Sequence, residues 1–238
     1  MLVQPNSIDR PTFSPDAEVL PGVMFGRPEW VPSPAFWASL AAHESLAIDR
    51  YVSPPGTPLV EDIIFCLLGG YGIRMELNQA AWKHLKAAGI LSTGHKPSAN
   101  SIESLLCERL DVEGRRVRYR FPRQRAHRIA FALEFLHDNP IDHLDPLQLR
   151  NSLMAIPGIG PKTASWIVRN WTGTDEVAIL DVHVIRAGQL IGLFPKHIRL
   201  PRDYSALEAR FLEFSHALNV RASLLDAIIW REMRTLTS

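Results

Sequence analysis

Lys162 stands directly behind the turn Pro157-Gly158-Ile159-Gly160-Pro161, and Asp181 follows nineteen residues later within Ile179-Leu180-Asp181-Val182-His183. A primary amine in the first turn of a helix has two chemical uses. Charged, it meets a phosphate; uncharged, it is a nucleophile that can bond covalently to an electrophilic carbon. The positive end of the helix dipole disfavours a second positive charge at that point, and partial burial would act in the same sense. Gly158 and Gly160 allow a tight turn and leave amides of the next helix unpaired, so an anion can dock on backbone alone. Asp181 follows the apolar run Val177-Ala178-Ile179-Leu180. There its carboxylate can cap the next helix or stabilise positive charge developing on a bound reactant.

Two helices must hold this turn. Asp145 and Pro146 open one from Leu147 to Met154, and Pro161 opens the other to about Asn170, so the hairpin occupies about residues 145–171. Apolar residues recur at helical spacing elsewhere. Phe36, Trp37, Leu40 and Ala41 follow Ser33-Pro34 in a helix to about Tyr51, and Leu59, Ile63, Ile64, Leu67 and Leu68 form a strongly buried stripe. Further stripes are Ala80, Ala81, Trp82, Leu85 and Ala88, then Ile102, Leu105, Leu106 and Leu110, then Ile129, Ala130, Leu133 and Leu136 behind Pro122. Helices are also expected from Val182 to Leu190, Tyr204 to Leu218 and Ala222 to Met233. Val117, Tyr119 and Phe121 alternate with arginines, as in a short hairpin or an extended basic loop.

Strand signal is weak otherwise, so the expected fold is all-α, with two helical lobes and a helix-hairpin-helix motif at their junction. Residues 1–33 read as an extended proline-rich arm pinned by Phe25 and Trp30; residues 34–59 plus 173–238 form one discontinuous lobe, and residues 60–172 the other.

With 46% hydrophobic and 21% charged residues, the 238-residue chain can bury a sizeable core, and disorder is not indicated. No apolar run approaches the ~18 residues needed to span a bilayer, and the first residues lack a signal-peptide layout, so an intracellular protein with no membrane partner is expected. Cys66 and Cys107 lie in apolar helical patterns, as buried reduced thiols would, and two cysteines are too few for an iron-sulfur cluster. A net charge of +1 speaks against a general polyanion binder, yet between Arg115 and Arg128 there are seven arginines and no acidic residue.

Leu153 to Ala164, together with Leu180-Asp181-Val182-His183, resembles the helix-hairpin-helix DNA glycosylase superfamily, and the Lys162 to Asp181 spacing resembles its 8-oxoguanine-excising branch. The resemblance implies that Lys162 is the catalytic nucleophile, Asp181 the catalytic carboxylate, and Gly158, Gly160 and His183 phosphate-binding positions. It implies double-stranded DNA carrying a damaged base as the partner, a monomeric glycosylase and AP lyase of base excision repair, and no required cofactor or catalytic metal. A structural monovalent cation at the hairpin is the one ion it allows. The chemistry of the residues accords with this: an uncharged Lys162 can attack C1′ of a flipped nucleotide while Asp181 stabilises the sugar cation.

Trp166 lies one helical turn after Lys162, and Asp226 and Trp230 share a face at i, i+4. Leu225-Asp226-Ala227-Ile228-Ile229-Trp230 resembles the place where the branch sets a polar group on the base edge and an aromatic on the base face. Guanine and 8-oxoguanine offer two adjacent donors to one carboxylate, whereas adenine presents an acceptor there. Tyr71, at the tip of the glycine-rich turn from Gly69 to Ile73, is the candidate wedge, and Arg120, Arg123 and Arg125 are candidate backbone contacts. Residues 1 to 60 leave no room for the extra β-rich domain of eukaryotic members. Two other readings stay open: a non-catalytic helix-hairpin-helix DNA-binding module, and a glycosylase for a different damaged or mispaired base.

Overall fold

Apolar side chains at helical spacing fold this chain, and helices carry more than half of the described residues. The computed structural model describes residues 13–43, 53–54, 56–70, 72–91 and 96–236. In chain order the elements are β1 (Glu18–Leu20), β2 (Val23–Met24), α1 (Pro34–His43), α2 (Leu59–Leu68), α3 (Met75–Ala87), α4 (Ala99–Cys107), β3 (Arg109–Val112), β4 (Arg115–Arg118), α5 (Pro122–Asp138), α6 (Pro146–Leu153), α7 (Pro161–Thr172), α8 (Val182–Leu190), α9 (Tyr204–Ala217) and α10 (Ala222–Leu236). They divide into two compact units, residues 51–174 and residues 1–50 with 175–238. The N-terminal stretch thus belongs to the second unit rather than standing apart, and the first unit begins at Tyr51 rather than at residue 60.

In the unit of residues 51–174, α2 buries Leu59, Val60, Ile63, Ile64, Leu67 and Leu68. It runs antiparallel to α7. The Trp171 indole donates to the Thr57 carbonyl at 2.9 Å, the Ser53 amide to the Asn170 carbonyl at 2.7 Å, and the rings of Phe65 and Trp166 lie 6.3 Å apart at 17°. These contacts set the register in which Lys162 leaves the hairpin.

The helical stripe expected through Leu110 stops at Cys107, and Leu110 instead pairs with Val117 across the β3–β4 hairpin. Glu113 and Gly114, both at positive φ, make the two-residue turn that forces the change. Tyr119 follows the hairpin, buried, and donates its hydroxyl to the Leu68 carbonyl. Burial pushes that phenol up to about 12 against the opposing Arg125 guanidinium, so it remains a donor.

In the other unit, β1 and β2 pair around Gly22, Val19 and Val23 enter the core, and the Ala35 amide donates to the Phe25 carbonyl. Residues 18–24 are therefore a small ribbon, not an extended arm. Phe25 packs against the core as expected, but Trp30 is 55% exposed, its ring lying against Gly26 and under the Arg27 guanidinium rather than in the core. Ser33 caps α1, its Oγ accepting from the Phe36 amide at 3.0 Å. That helix is described to His43, and the expected continuation to Tyr51 lies outside the described residues. Trp37, Phe211, Phe214, Leu225, Ile228 and Met233 fill the core, and no Cβ fits at Gly188, where the Phe194 ring would lie 2.2 Å away.

Asp175 starts α10 by accepting from the Ser223 amide at 2.9 Å and from Arg221 Nε at 2.7 Å. Burial raises its pKa, but these bonds outweigh burial and hold it below the ordinary carboxylate value. A depressed folded-state pKa means the stabilisation is present above the unfolded value and is lost as pH falls through the folded one. Asp175→Ala is expected to cost about 1–2 kcal/mol at pH 7. Urea titrations of the full chain should show this difference shrinking as pH drops below the ordinary aspartate range.

Candidate active site

The hairpin turn is built by its ends. Asp145 Oδ1 accepts from the Leu147 and Gln148 amides at 3.1 and 2.9 Å, starting α6, while Leu153, Ile156 and Ile159 are buried and anchor the turn from below. Gly158 adopts φ +97, and a Cβ there would stand 2.8 Å from Arg128 Cδ, so the Arg128 side chain lies against the turn. Gly160 has open space around it, and no side chain caps α7, whose first residue is Pro161. The amides after Gly160 are thus presented outward at the positive end of a twelve-residue helix.

Lys162 is exposed there, and among the described residues nothing hydrogen-bonds or ion-pairs with its amine. The partial burial considered for it is not met: Lys162 is exposed, whereas Ala164, Ser165 and Ile167 are buried. Trp166, one turn on, is partly buried against Phe65. Cys66 on α2 lies within electrostatic reach of Lys162. Burial pushes its thiol well above the ordinary range, the Asp62 carboxylate adding to the rise and Lys162 opposing it. Asp62 is itself raised by burial, against a 2.7 Å hydrogen bond from Ser53.

The glycine-rich turn after α2 abuts two arginines. A Cβ at Gly72 would meet Arg120 Nη1 at 2.8 Å, and one at Gly70 would lie 3.4 Å from Arg125 Nη2. Tyr71 lies outside the described residues. Arg125 is only 8% exposed, enclosed by Gly70 and Tyr119, so in contrast to Arg120 and Arg123 its guanidinium supports the turn from within.

The other unit positions Asp181. Its Oδ1 accepts from the His183 and Val184 amides, both at 2.9 Å, capping α8, while its Oδ2 accepts no bond from the described residues. Cap geometry therefore fixes the carboxylate and leaves one oxygen available. The approach to it is held by side chains: the Ala178 amide donates to Glu208 at 3.0 Å, the Ile179 amide to Asp226 Oδ2 at 2.9 Å, and the Leu180 amide to the Tyr204 oxygen at 3.2 Å. Asp226 is 2% exposed, so its face of α10 points inward and its carboxylate supports the Asp181 segment. Trp230 is partly buried with the Arg234 guanidinium 4.5 Å from its ring centre.

A family model described as 8-oxoguanine DNA glycosylase matches residues 57–220, a span that holds the hairpin, Lys162 and the capped Asp181. The chain belongs to the 8-oxoguanine DNA glycosylase family. It is 34% identical over 130 residues to an 8-oxoguanine DNA glycosylase/AP lyase of Saccharolobus islandicus, covering 50% of this chain and 62% of that relative. A Metallosphaera sedula protein of the same description is 29% identical over 116 residues, covering 47% and 57%. The match thus spans less than two thirds of the length of these curated relatives. The crystal structure of the Thermotoga maritima 8-oxoguanine DNA glycosylase superposes with a TM-score of 0.55 at 27% identity, covering 73% of this chain and 78% of that one. The Methanocaldococcus jannaschii 8-oxoguanine DNA glycosylase, at 24% identity and the same TM-score, covers 85% of both chains and shares the fold.

One feature of this 8-oxoguanine DNA glycosylase family member escaped sequence reasoning. Phe121 holds φ +67, a conformation costly for a non-glycine residue, and is 42% exposed with the Arg120 guanidinium 4.8 Å from its ring centre. The usable signal was an aromatic, not Ser, Thr, Asp or Asn, directly before the helix-opening Pro122. Cys107 also differs from expectation: it is exposed, on the outer side of the α4 stripe, while Cys66 is partly buried. Iodoacetamide at pH 8 should therefore label Cys107 at least about tenfold faster than Cys66. Peptide mapping showing Cys66 labelled first would contradict this assignment.

Proposed function

We propose that this protein is a bifunctional DNA glycosylase and AP lyase that removes 8-oxoguanine from double-stranded DNA in base excision repair. The observation that carries the reading is the unpaired Lys162 amine at the uncapped N-terminus of α7, in a chain whose family model also spans the capped Asp181. Phosphates dock at the Gly158–Gly160 turn, on the Lys162 and Thr163 amides at the start of α7, and beside His183, holding the strand without reading its sequence. Lys162 is exposed before DNA binds, so its water is removed by the docked nucleotide. The neutral amine attacks C1′, the glycosidic bond breaks, and the Oδ2 side of Asp181 stabilises the positive charge on the sugar. The sugar ring opens to a Schiff base; loss of a C2′ proton expels the 3′ phosphate, and hydrolysis returns the lysine.

Trp166 and Trp230 serve as base-face groups. Asp226 can read the guanine edge only by being uncovered on DNA binding, since it is engaged with the Ile179 amide beforehand. Arg120 and Arg123 contact backbone phosphates, and Phe121 joins Tyr71 as a group able to occupy the gap left by a flipped base. The chemistry calls for no cofactor. A monovalent cation at the hairpin would rest on the Leu153 and Ile156 carbonyls, each of which accepts one amide and keeps a second lone pair, and would offset phosphate charge. The protein acts as an intracellular monomer; among the described residues no helix is long and apolar enough to cross a membrane.

Borohydride should trap wild-type protein on duplex DNA containing 8-oxoguanine. Lys162→Gln should lose trapping and slow excision by about 10³-fold or more. Absence of a wild-type adduct, or equal trapping by the variant, sinks the mechanism. In the same assay Asp226→Asn should reduce the preference for 8-oxoguanine over adenine; an unchanged preference at reduced stability would leave Asp226 as a support of residues 178–181 alone.

A further inference from the structure

We infer that the outer face of the β3–β4 hairpin is a second phosphate-backbone contact, made by Arg109, Arg116 and Arg118 on DNA flanking the lesion; this rests on the DNA-glycosylase reading above. The register pairs Arg109 with Arg118 and Asp111 with Arg116, so these four share one face, while Leu110 and Val112 are buried on the other. Arg109 and Arg118 are like charges directly opposite each other, an arrangement that destabilises a two-stranded ribbon.

Among the described residues, none of Arg109, Arg115, Arg116 and Arg118 lies within 4.0 Å of a carboxylate, and Asp111 directs Oδ1 to the Gly114 amide at 2.9 Å, inside the turn. Several arginines elsewhere are matched, Arg221 to Asp175, Arg231 to Glu232, and Arg210 to the Leu193 and Pro21 carbonyls. Positive charge is concentrated here: residues 109–128 hold eight arginines against Asp111 and Glu113, in a chain of net charge +1.

A polyanion removes the repulsion, and the continuity of the charge with the hairpin turn favours a nucleic-acid backbone over an acidic peptide. Residues two apart on a strand stand about 7 Å apart, the order of the spacing of successive phosphates, so Arg116 and Arg118 can meet neighbouring phosphates of one strand. The charge also continues within this unit through Arg120 and Arg123 to Arg128, whose side chain lies against Gly158 of the phosphate-docking turn. Guanidiniums suit phosphate oxygens through paired N–H donors.

The test compares full-length wild type, R109Q/R116Q/R118Q and R109K/R116K/R118K on a 30-base-pair duplex, with and without 8-oxoguanine, across a salt series. The glutamine variant should bind at least tenfold more weakly at low salt, with a log–log salt slope shallower by about 2–3, since each phosphate contact contributes roughly 0.9. Its single-turnover excision at saturating enzyme should stay within twofold of wild type, and the lysine variant should keep most of the slope. An unchanged slope in the glutamine variant overturns the inference, as does a lysine variant as impaired as the glutamine one, or wild type preferring polyglutamate to duplex. Failure of the underlying reading looks different: wild type itself then gives no borohydride adduct.

Discussion

Residues 177–180 run without regular secondary structure through a buried region, and buried peptide groups must find partners. Three side chains supply them. Glu208 and Tyr204 from α9 and Asp226 from α10 satisfy the amides of Ala178, Leu180 and Ile179, and Tyr204 also donates to the Ala178 carbonyl at 2.8 Å. Removing any one leaves a buried donor unmatched, at about 1–3 kcal/mol. Packing of α9 and α10 is thereby transmitted to the first turn of α8, where Asp181 holds one oxygen on two amides and the other accepts no bond from the described residues.

The unit of residues 51–174 meets the corresponding requirement for Lys162 by packing rather than by polar support. The amine stands in solvent, so its placement depends on where α7 starts. That is fixed by the buried Ile156 and Ile159, by Trp171 bonding to Thr57, and by Trp166 lying along Phe65. Tyr119 then ties the end of α2 to the arginine-rich segment. Burial raises both Cys66 and Asp62 on α2, and at Cys66 the Lys162 charge opposes the rise.

What was legible in the sequence was what local chemistry dictates. Asp145-Pro146, Gly160-Pro161 and Asp181 are start signals whose mechanism involves only the next few residues, and the helices they open begin within a residue of expectation. Periodicity carried less. The stripe Ile102, Leu105, Leu106, Leu110 keeps a helical period across the α4–β3 boundary, and only Glu113-Gly114 betrays the hairpin. Sharing a face also does not say which way the face points: Asp226 pairs with Trp230 at i, i+4, yet its partner is an amide 47 residues earlier in the chain. Arg125 looked like its neighbours because its enclosure comes from Gly70 and Tyr119, a loop and a side chain that no spacing rule brings together.

The Arg128 side chain occupies the space a Cβ at Gly158 would need. Position 158 is therefore not constrained by its backbone angle alone: an alanine there would displace the arginine as well as strain the turn. Changes at residues 128 and 158, thirty positions apart, should behave as one genetic unit, their double substitution costing less than the two single effects added. An arginine far from the hairpin in sequence is in this sense a component of the turn.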